Sequence, residues 1–248
     1  MVLEPGRLIF EGIVGRAHAH AHAAAQLLVV TAGDVEVVDG RGEARAIQAA
    51  LIPARAVHAV HGEGAKAVFV YCDPDSSQGR ALQARFASVS RDRVTDWIAA
   101  AAPACSAQVL GADEAGEAAL RAVTGSRPTR ACHPALCDAA ALVHACLGCP
   151  IRLSDVAAEV GLSAGRLGHL FAEEFGLSFP AYVRWARLRR TIELARGGAS
   201  LTQAAHGAGF ADSSHLTRVV HEMFGLAPSE ILHSVQWAPP ANMHAHVT

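Results

Sequence analysis

Two stretches of this chain repeat one another, and the repeat narrows the folds open to its C-terminal half. LSDVAAEVGLSAGRLGHLFAEEFGL begins at Leu153 and LTQAAHGAGFADSSHLTRVVHEMFGL at Leu201. Leu153, Ala157 and Gly161 match Leu201, Ala205 and Gly209 at an offset of 48. Past the glycine the offset becomes 49, and Leu167, Leu170, Phe171 and Phe175 match Leu216, Val219, Val220 and Phe224. The apolar residues recur at helical spacing, so each copy reads as helix, turn, helix with one buried face. Small Ala157 and Ala205 let the two helices cross closely. Gly161 and Gly209 suit the left-handed backbone that ends a helix. Ser163 in the first copy, and Asp212 or Ser213 in the second, are expected to cap the helix that follows. One copy would fit any helical hairpin. Two copies fit a paired reader of DNA, with each second helix in a major groove.

The outward positions of the second helices are the candidate base readers. They are Ser163, Ala164, Gly165, Arg166, Gly168, His169 and Ala172 in the first copy, and Ser213, Ser214, His215, Thr217, Arg218 and His221 in the second. Arg166 and Arg218 could each bind guanine through two hydrogen bonds; the alternative for either is a phosphate clamp, which orients without specifying. The first helix is short of polar reach, so the second motif is expected to contribute as much or more to specificity. Residues 151–234 hold eight arginines and eight acidic residues, so phosphate neutralisation adds only modestly to binding. Arg184, Arg187, Arg189 and Arg190 fall on the joining helix, where some are expected to pair with neighbouring acids.

Residues 134 to 233 resemble the DNA-binding domain of AraC/XylS-type transcription regulators. The resemblance is carried by Ala205, Gly209, Phe210, Ser214, Leu216, Phe224, Gly225 and Pro228, and by Arg187-Leu188 in the joining helix. The pattern departs from the family after PSEI, where Leu232-His233 replaces the usual arginine, and at Leu216, where the family usually has an aromatic residue. The resemblance implies sequence-specific binding to double-stranded DNA, with RNA polymerase as a further partner.

The N-terminal third follows another periodicity. LIFEGIV, AQLLVVTAG, VEVVDG and AVFVYCD alternate or run apolar between Gly-containing turns, which predicts short strands of a sandwich or barrel over residues 8 to 72. Here RAHAHAHAAAQLLVVTAG places His18, His20 and His22 at every second position. On a strand these side chains share a face. With His58 from a later strand they would make a cluster of imidazoles, and Gln26 an amide ligand, suited to Ni, Fe, Mn or Zn. Polar groups of an organic effector pocket are an equal alternative, and surface histidines a third; His18 is expected at the rim. The segment is similar to a small cupin barrel. His20-x-His22, Gln26 and Gly33 have the spacing of the first cupin motif, with glutamine in place of glutamate. Pro53 and His58 have that of the second.

The expected fold class is therefore α+β, a small N-terminal β-barrel followed by an all-α domain with two helix-turn-helix motifs. The expected divisions are a sensing domain over 1–75, connecting or dimerisation helices and linker over 76–130, a DNA-binding domain over 131–234 and a tail over 235–248. Leu82, Phe86, Val89, Trp97 and Ile98 were candidates to pair two subunits into a homodimer. The chain has 248 residues, 51% of them apolar, and a formal net charge of −2, enough to bury a core and without a bias toward polyanions. No signal peptide or membrane-length apolar run is evident, so a cytoplasmic protein is expected. Six cysteines are too few for a disulfide scaffold and are expected to be reduced. Cys132, Cys137, Cys146 and Cys149 are expected as small buried thiols, and His244 and His246 lie in the tail. The function expected is a transcription regulator, not an enzyme, whose N-terminal domain senses a metal ion or small molecule. The rivals are a metal-dependent cupin enzyme fused to a DNA-binding domain, and a ligand-independent dimeric regulator.

Overall fold

The computed structural model describes residues 2–86, 90–107, 112–125 and 131–225. Val89, the segment from Leu226 onward and the histidine-bearing tail lie outside the described residues. The N-terminal half is one seven-stranded antiparallel sheet: β1 (Val2–Glu4), β2 (Arg7–His20), β3 (Ala25–Ala32), β4 (Val35–Asp39), β5 (Ala44–Ile47), β6 (Ala49–Ile52) and β7 (His58–Cys72). The hydrogen-bonded order is β1-β2-β7-β3-β6, with β4 pairing β5 and β7. All four apolar segments read from the sequence lie in strands. β5 and β6 were not anticipated; they are four residues each, too short to show a period.

Register sorts side chains onto two faces. Ile9, Val70, Leu27 and Leu51 align across β2, β7, β3 and β6 on one face, and Leu8, Tyr71, Gln26 and Ile52 on the other. The first face is covered by α2 (Val94–Ala101) and α3 (Ala112–Thr124), with α1 (Ser77–Ala84) beside them. Leu82, Phe86 and Trp97 are buried in the same apolar cluster as Leu27, Val68 and Val70, with Ile98 packed against it. The apolar surface of Leu82, Phe86 and Trp97 is spent on the sheet of their own chain.

The second half is all helical: α4 (Pro134–Ala145), α5 (Leu153–Glu159), α6 (Ala164–Glu174), α7 (Phe179–Arg196), α8 (Leu201–Gly207) and α9 (Ser213–Phe224). The repeat forms two helix-turn-helix units, α5–α6 and α8–α9, joined by α7. Gly161 and Gly209 have φ of 69° and 86°, and Ala157 and Ala205 are fully buried at the crossings. Ser163 accepts from Arg166 N–H at 3.2 Å, and Asp212, rather than Ser213, caps α9 by accepting from His215 N–H at 2.7 Å. Leu167, Leu170 and Phe171 of α6, and Leu216, Val219 and Val220 of α9, face the core.

That core does not stop at the domain boundary. Leu8, Ala23, Ala24, Ala54 and Tyr71 of the N-terminal half join the apolar cluster of α4 to α9. Polar contacts reinforce the junction. Trp185 N–H donates to Asp73 at 2.8 Å, and the buried Arg189 guanidinium lies 3.5 Å from the same carboxylate. Burial still holds the Asp73 carboxyl above its ordinary range despite Arg189. Tyr182 O–H donates to Asp75 at 2.8 Å and His144 lies 3.0 Å from it. Of the joining-helix arginines, Arg190 pairs with Glu193, whereas Arg187 donates to the Cys149 carbonyl.

Cys132 and Cys137 lie side by side, with Cα atoms 6.2 Å apart; the first turn of α4 brings them together. One expectation about cysteine is corrected. Cys146 and Cys149 are exposed, not buried, because α4 ends at Ala145 and the chain turns at the surface.

Candidate functional site

Three imidazoles meet where the sheet touches α9. His20 is 8% exposed, His22 and His58 1% each, and Gln26 1%. One ring nitrogen of each histidine lies within 4.8 Å of the other two. His20 ends β2 and is registered opposite His58, the first residue of β7. His22 lies just past the strand, and Gln26 is in β3. The four side chains named from sequence spacing therefore converge. His18 does not join them. The register of β2 shifts between Ala17 and His20, which breaks the every-second-residue alternation, and the His18 side chain is exposed.

Each ring is oriented by main chain. His20 Nδ1 is 2.7 Å from the His18 carbonyl, His22 Nδ1 2.7 Å from that of Ala24, and His58 Nδ1 2.9 Å from that of Ala56. A carbonyl only accepts, so each Nδ1 carries the hydrogen. Burial lowers all three pKa values, that of His22 to about 4, with the neighbouring imidazoles adding to the effect. At neutral pH the rings are thus neutral, and every Nε2 is a bare lone pair. His58 Nε2 is buried with no hydrogen-bond partner. His22 Nε2 is 2.7 Å from the position of Gln26 Oε1. Because His22 has only one hydrogen, already facing Ala24, the amide must present its NH2 to this nitrogen.

Three imidazoles that each bring a ring nitrogen within 4.8 Å of the other two, each ring anchored through Nδ1–H to a carbonyl, make a set that suits a divalent transition metal. The anchors set tautomer and ring direction in advance. These residues fit such an ion: His20, His22 and His58 would hold it, with the Gln26 amide oxygen reachable by a turn of that amide. Among the described residues the cluster has no carboxylate.

Sequence reasoning missed the rest of the wall. Tyr71 presents its ring edge to His22, with centroids 5.2 Å apart, and meets Phe224 of α9 at 5.5 Å. Ala21 N–H points to the Glu222 carbonyl at 3.4 Å. Gly225, in the left-handed conformation at φ 65°, closes α9 against the main chain of His18. No local pattern could announce these contacts, since the partners are about 50 to 200 residues apart along the chain.

The candidate DNA surface is the outer side of α6 and α9, and His221 of α9 stands close enough to His20 to lower its pKa. Arg166, His169, Ser214, Thr217, Arg218 and His221 are exposed, and Ala164, Ser213 and His215 half-buried. Thr217 O–H returns to the Ser213 carbonyl at 2.9 Å. Among the described residues neither Arg166 nor Arg218 has an ion-pair partner, so both guanidinium groups face solvent.

Comparison with known proteins agrees with this architecture. Residues 156–234 match the model of a helix-turn-helix domain family. The chain is 33% identical over 104 residues to the transcriptional activator RhaR of Pectobacterium carotovorum, covering 39% of this chain and 37% of RhaR. It is 30% identical over 118 residues to the bifunctional transcriptional activator and DNA repair enzyme Ada of Escherichia coli, covering 44% and 33%. The chain thus spans about a third of the length of the curated relatives it matches. In fold it is similar to ToxT of Vibrio cholerae, with a TM-score of 0.61 at 15% identity over 95% of this chain and all of ToxT. The C-terminal helices are a helix-turn-helix domain, similar to a region of transcriptional activators such as RhaR. The antiparallel-sheet domain precedes them in the two-domain arrangement that ToxT also has. Among the described residues no helix is long and apolar enough to cross a membrane.

Proposed function

We propose that this protein is a transcription regulator that binds double-stranded DNA through α6 and α9 and senses a divalent transition metal at His20, His22 and His58. The duplicated helix-turn-helix, with both second helices solvent-exposed, carries the first part. It is supported by the RhaR and Ada similarity of the same region. The three buried imidazoles with ring nitrogens within 4.8 Å of one another carry the second. An organic effector is the alternative occupant. One structure of ToxT has a bound unsaturated fatty acid, but at 15% identity that likeness extends to fold alone, and an apolar acid finds no cation in this cluster.

The DNA reading is tested on sites selected from randomised duplexes. Arg218→Ala is expected to lose about 1–3 kcal/mol of discrimination at one guanine. A uniform loss across all sequences would make Arg218 a phosphate clamp instead.

Tag-free protein is expected to retain close to one equivalent of transition metal by elemental analysis, and its DNA affinity to change on chelation. His58→Ala is expected to weaken metal binding by more than the ~10–100-fold that loss of an outer-shell partner costs. Unchanged metal content in His20→Ala, His22→Ala and His58→Ala proteins would refute the metal reading.

A further inference from the structure

We infer that α9 is the element through which the histidine site acts: its C-terminal turn forms part of the site's wall, so occupancy of the site sets the position of a DNA-reading helix. The inference rests on the cluster being a ligand site.

Two separate contacts join them. The first is main chain on main chain. Gly225 approaches so closely that a Cβ there would lie 2.6 Å from His18 O and 3.0 Å from His20 Nδ1. His18 O is the acceptor that orients the His20 ring. The glycine thus presses on the anchor of one of the three ligands. The second is aromatic. His22 meets Tyr71 edge to face, and Tyr71 meets Phe224 in the same way. The two contacts reach the cluster through different histidines and leave α9 at adjacent residues.

The same helix carries Ser213, Ser214, Thr217 and Arg218 on its exposed side, one to three turns earlier. A helix turn rises about 5.4 Å and behaves as a rigid unit over this length. A hold on residues 224 and 225 therefore orients the reading face. Coordination through Nε2 needs the rings as they already stand, with Nδ1–H on the carbonyls. Metal therefore stabilises the docked arrangement of α9. By linkage, docking must strengthen metal binding by the same factor.

The test uses the full chain and Co(II), whose visible absorption reports imidazole coordination independently of DNA. Co(II) is expected to slow amide hydrogen exchange in the last turn of α9 by about tenfold, within the usual range of coupling energies, and to leave α6 unchanged. His58→Ala, which lies away from α9, is expected to lose the spectrum and the added protection together. Phe224→Ala keeps all three ligands; it is expected to retain the Co(II) spectrum, bind Co(II) about five- to tenfold more weakly, and show no metal-dependent protection of α9. Phe224→Leu, which keeps an apolar side chain without the ring, is expected to behave likewise, which guards against a local packing defect at Phe224. If Co(II) binds the wild type with the histidine spectrum while α9 exchange and the Phe224→Ala affinity stay unchanged, the inference falls and the metal site stands. If Co(II) gives no histidine-dependent spectrum, both fall.

Discussion

Gly209→Val is expected to abolish specific DNA binding and to destabilise the full chain by about 3 kcal/mol, from left-handed strain and forced packing together. Gly209 holds φ at 86°, where a β-branched side chain is strongly disfavoured. Space is also closed: a Cβ there would stand 2.1 Å from the Leu147 carbonyl and 3.0 Å from Arg187 Nε. Backbone cannot yield as a flexible side chain can, so the turn between α8 and α9 must open and α9 must shift. Gly161 is the control that the repeat itself supplies. It has the same role in the first copy and φ of 69°, yet nothing lies within 4 Å of its Cβ position. Gly161→Ala is expected to cost only about 1 kcal/mol. Urea denaturation of the two variants, with DNA binding in parallel, measures both. Equal losses would show that conformation alone, and not the approach of α4 and α7, governs the second turn.

The metal-free protein is expected to lose stability as pH falls from about 6.5 to about 4. His22 is held near 4 by burial among the other imidazoles, whereas in the unfolded chain it takes a proton at about 6.5. The unfolded state therefore binds the proton first, and the contribution of the neutral ring is whole above about pH 7 and drains away through this window. At about 1.4 kcal/mol per pH unit, His22 alone represents roughly 3 kcal/mol. His20 and His58, lowered by the same burial, act in the same direction. His144 acts oppositely. Asp75 raises its pKa, so its contribution is complete below about 6.5 and is lost as pH rises through the raised value. The check is a urea midpoint measured from pH 8 to pH 4.5 with chelator present, on wild type and on His22→Gln. The variant is expected to show a flatter acid limb. Identical limbs would mean that the cluster is protonated without cost, and so is not the dry, neutral set of ligands described.

The two halves of the protein were legible in the sequence to different depths. The helical half could be read almost residue by residue, because its determinants are local. Ala157 and Ala205, Gly161 and Gly209, and the caps Ser163 and Asp212 each act on neighbours within a turn or two, and duplication separated pattern from chance. The sheet was legible as strands, and the set His20, His22, Gln26 and His58 by its spacing. The alternation that placed His18 with them failed because a register shift is decided by pairing with β7, which no single strand records. The wrapping of α1 to α3 onto the sheet was not legible either: Leu82, Phe86 and Trp97 have the same apolar side chains whether they meet a second subunit or their own strands.

From its residues alone this chain determined a paired helix-turn-helix and a candidate group of histidines, since helical period, turn glycines and the spacing of His20 and His22 are properties of short segments. Only the tertiary structure decided that Gly225 and Phe224 close over His20 and Tyr71. That contact joins residues about 150 to 200 positions apart, and its energy exists only when both surfaces are already folded and face each other.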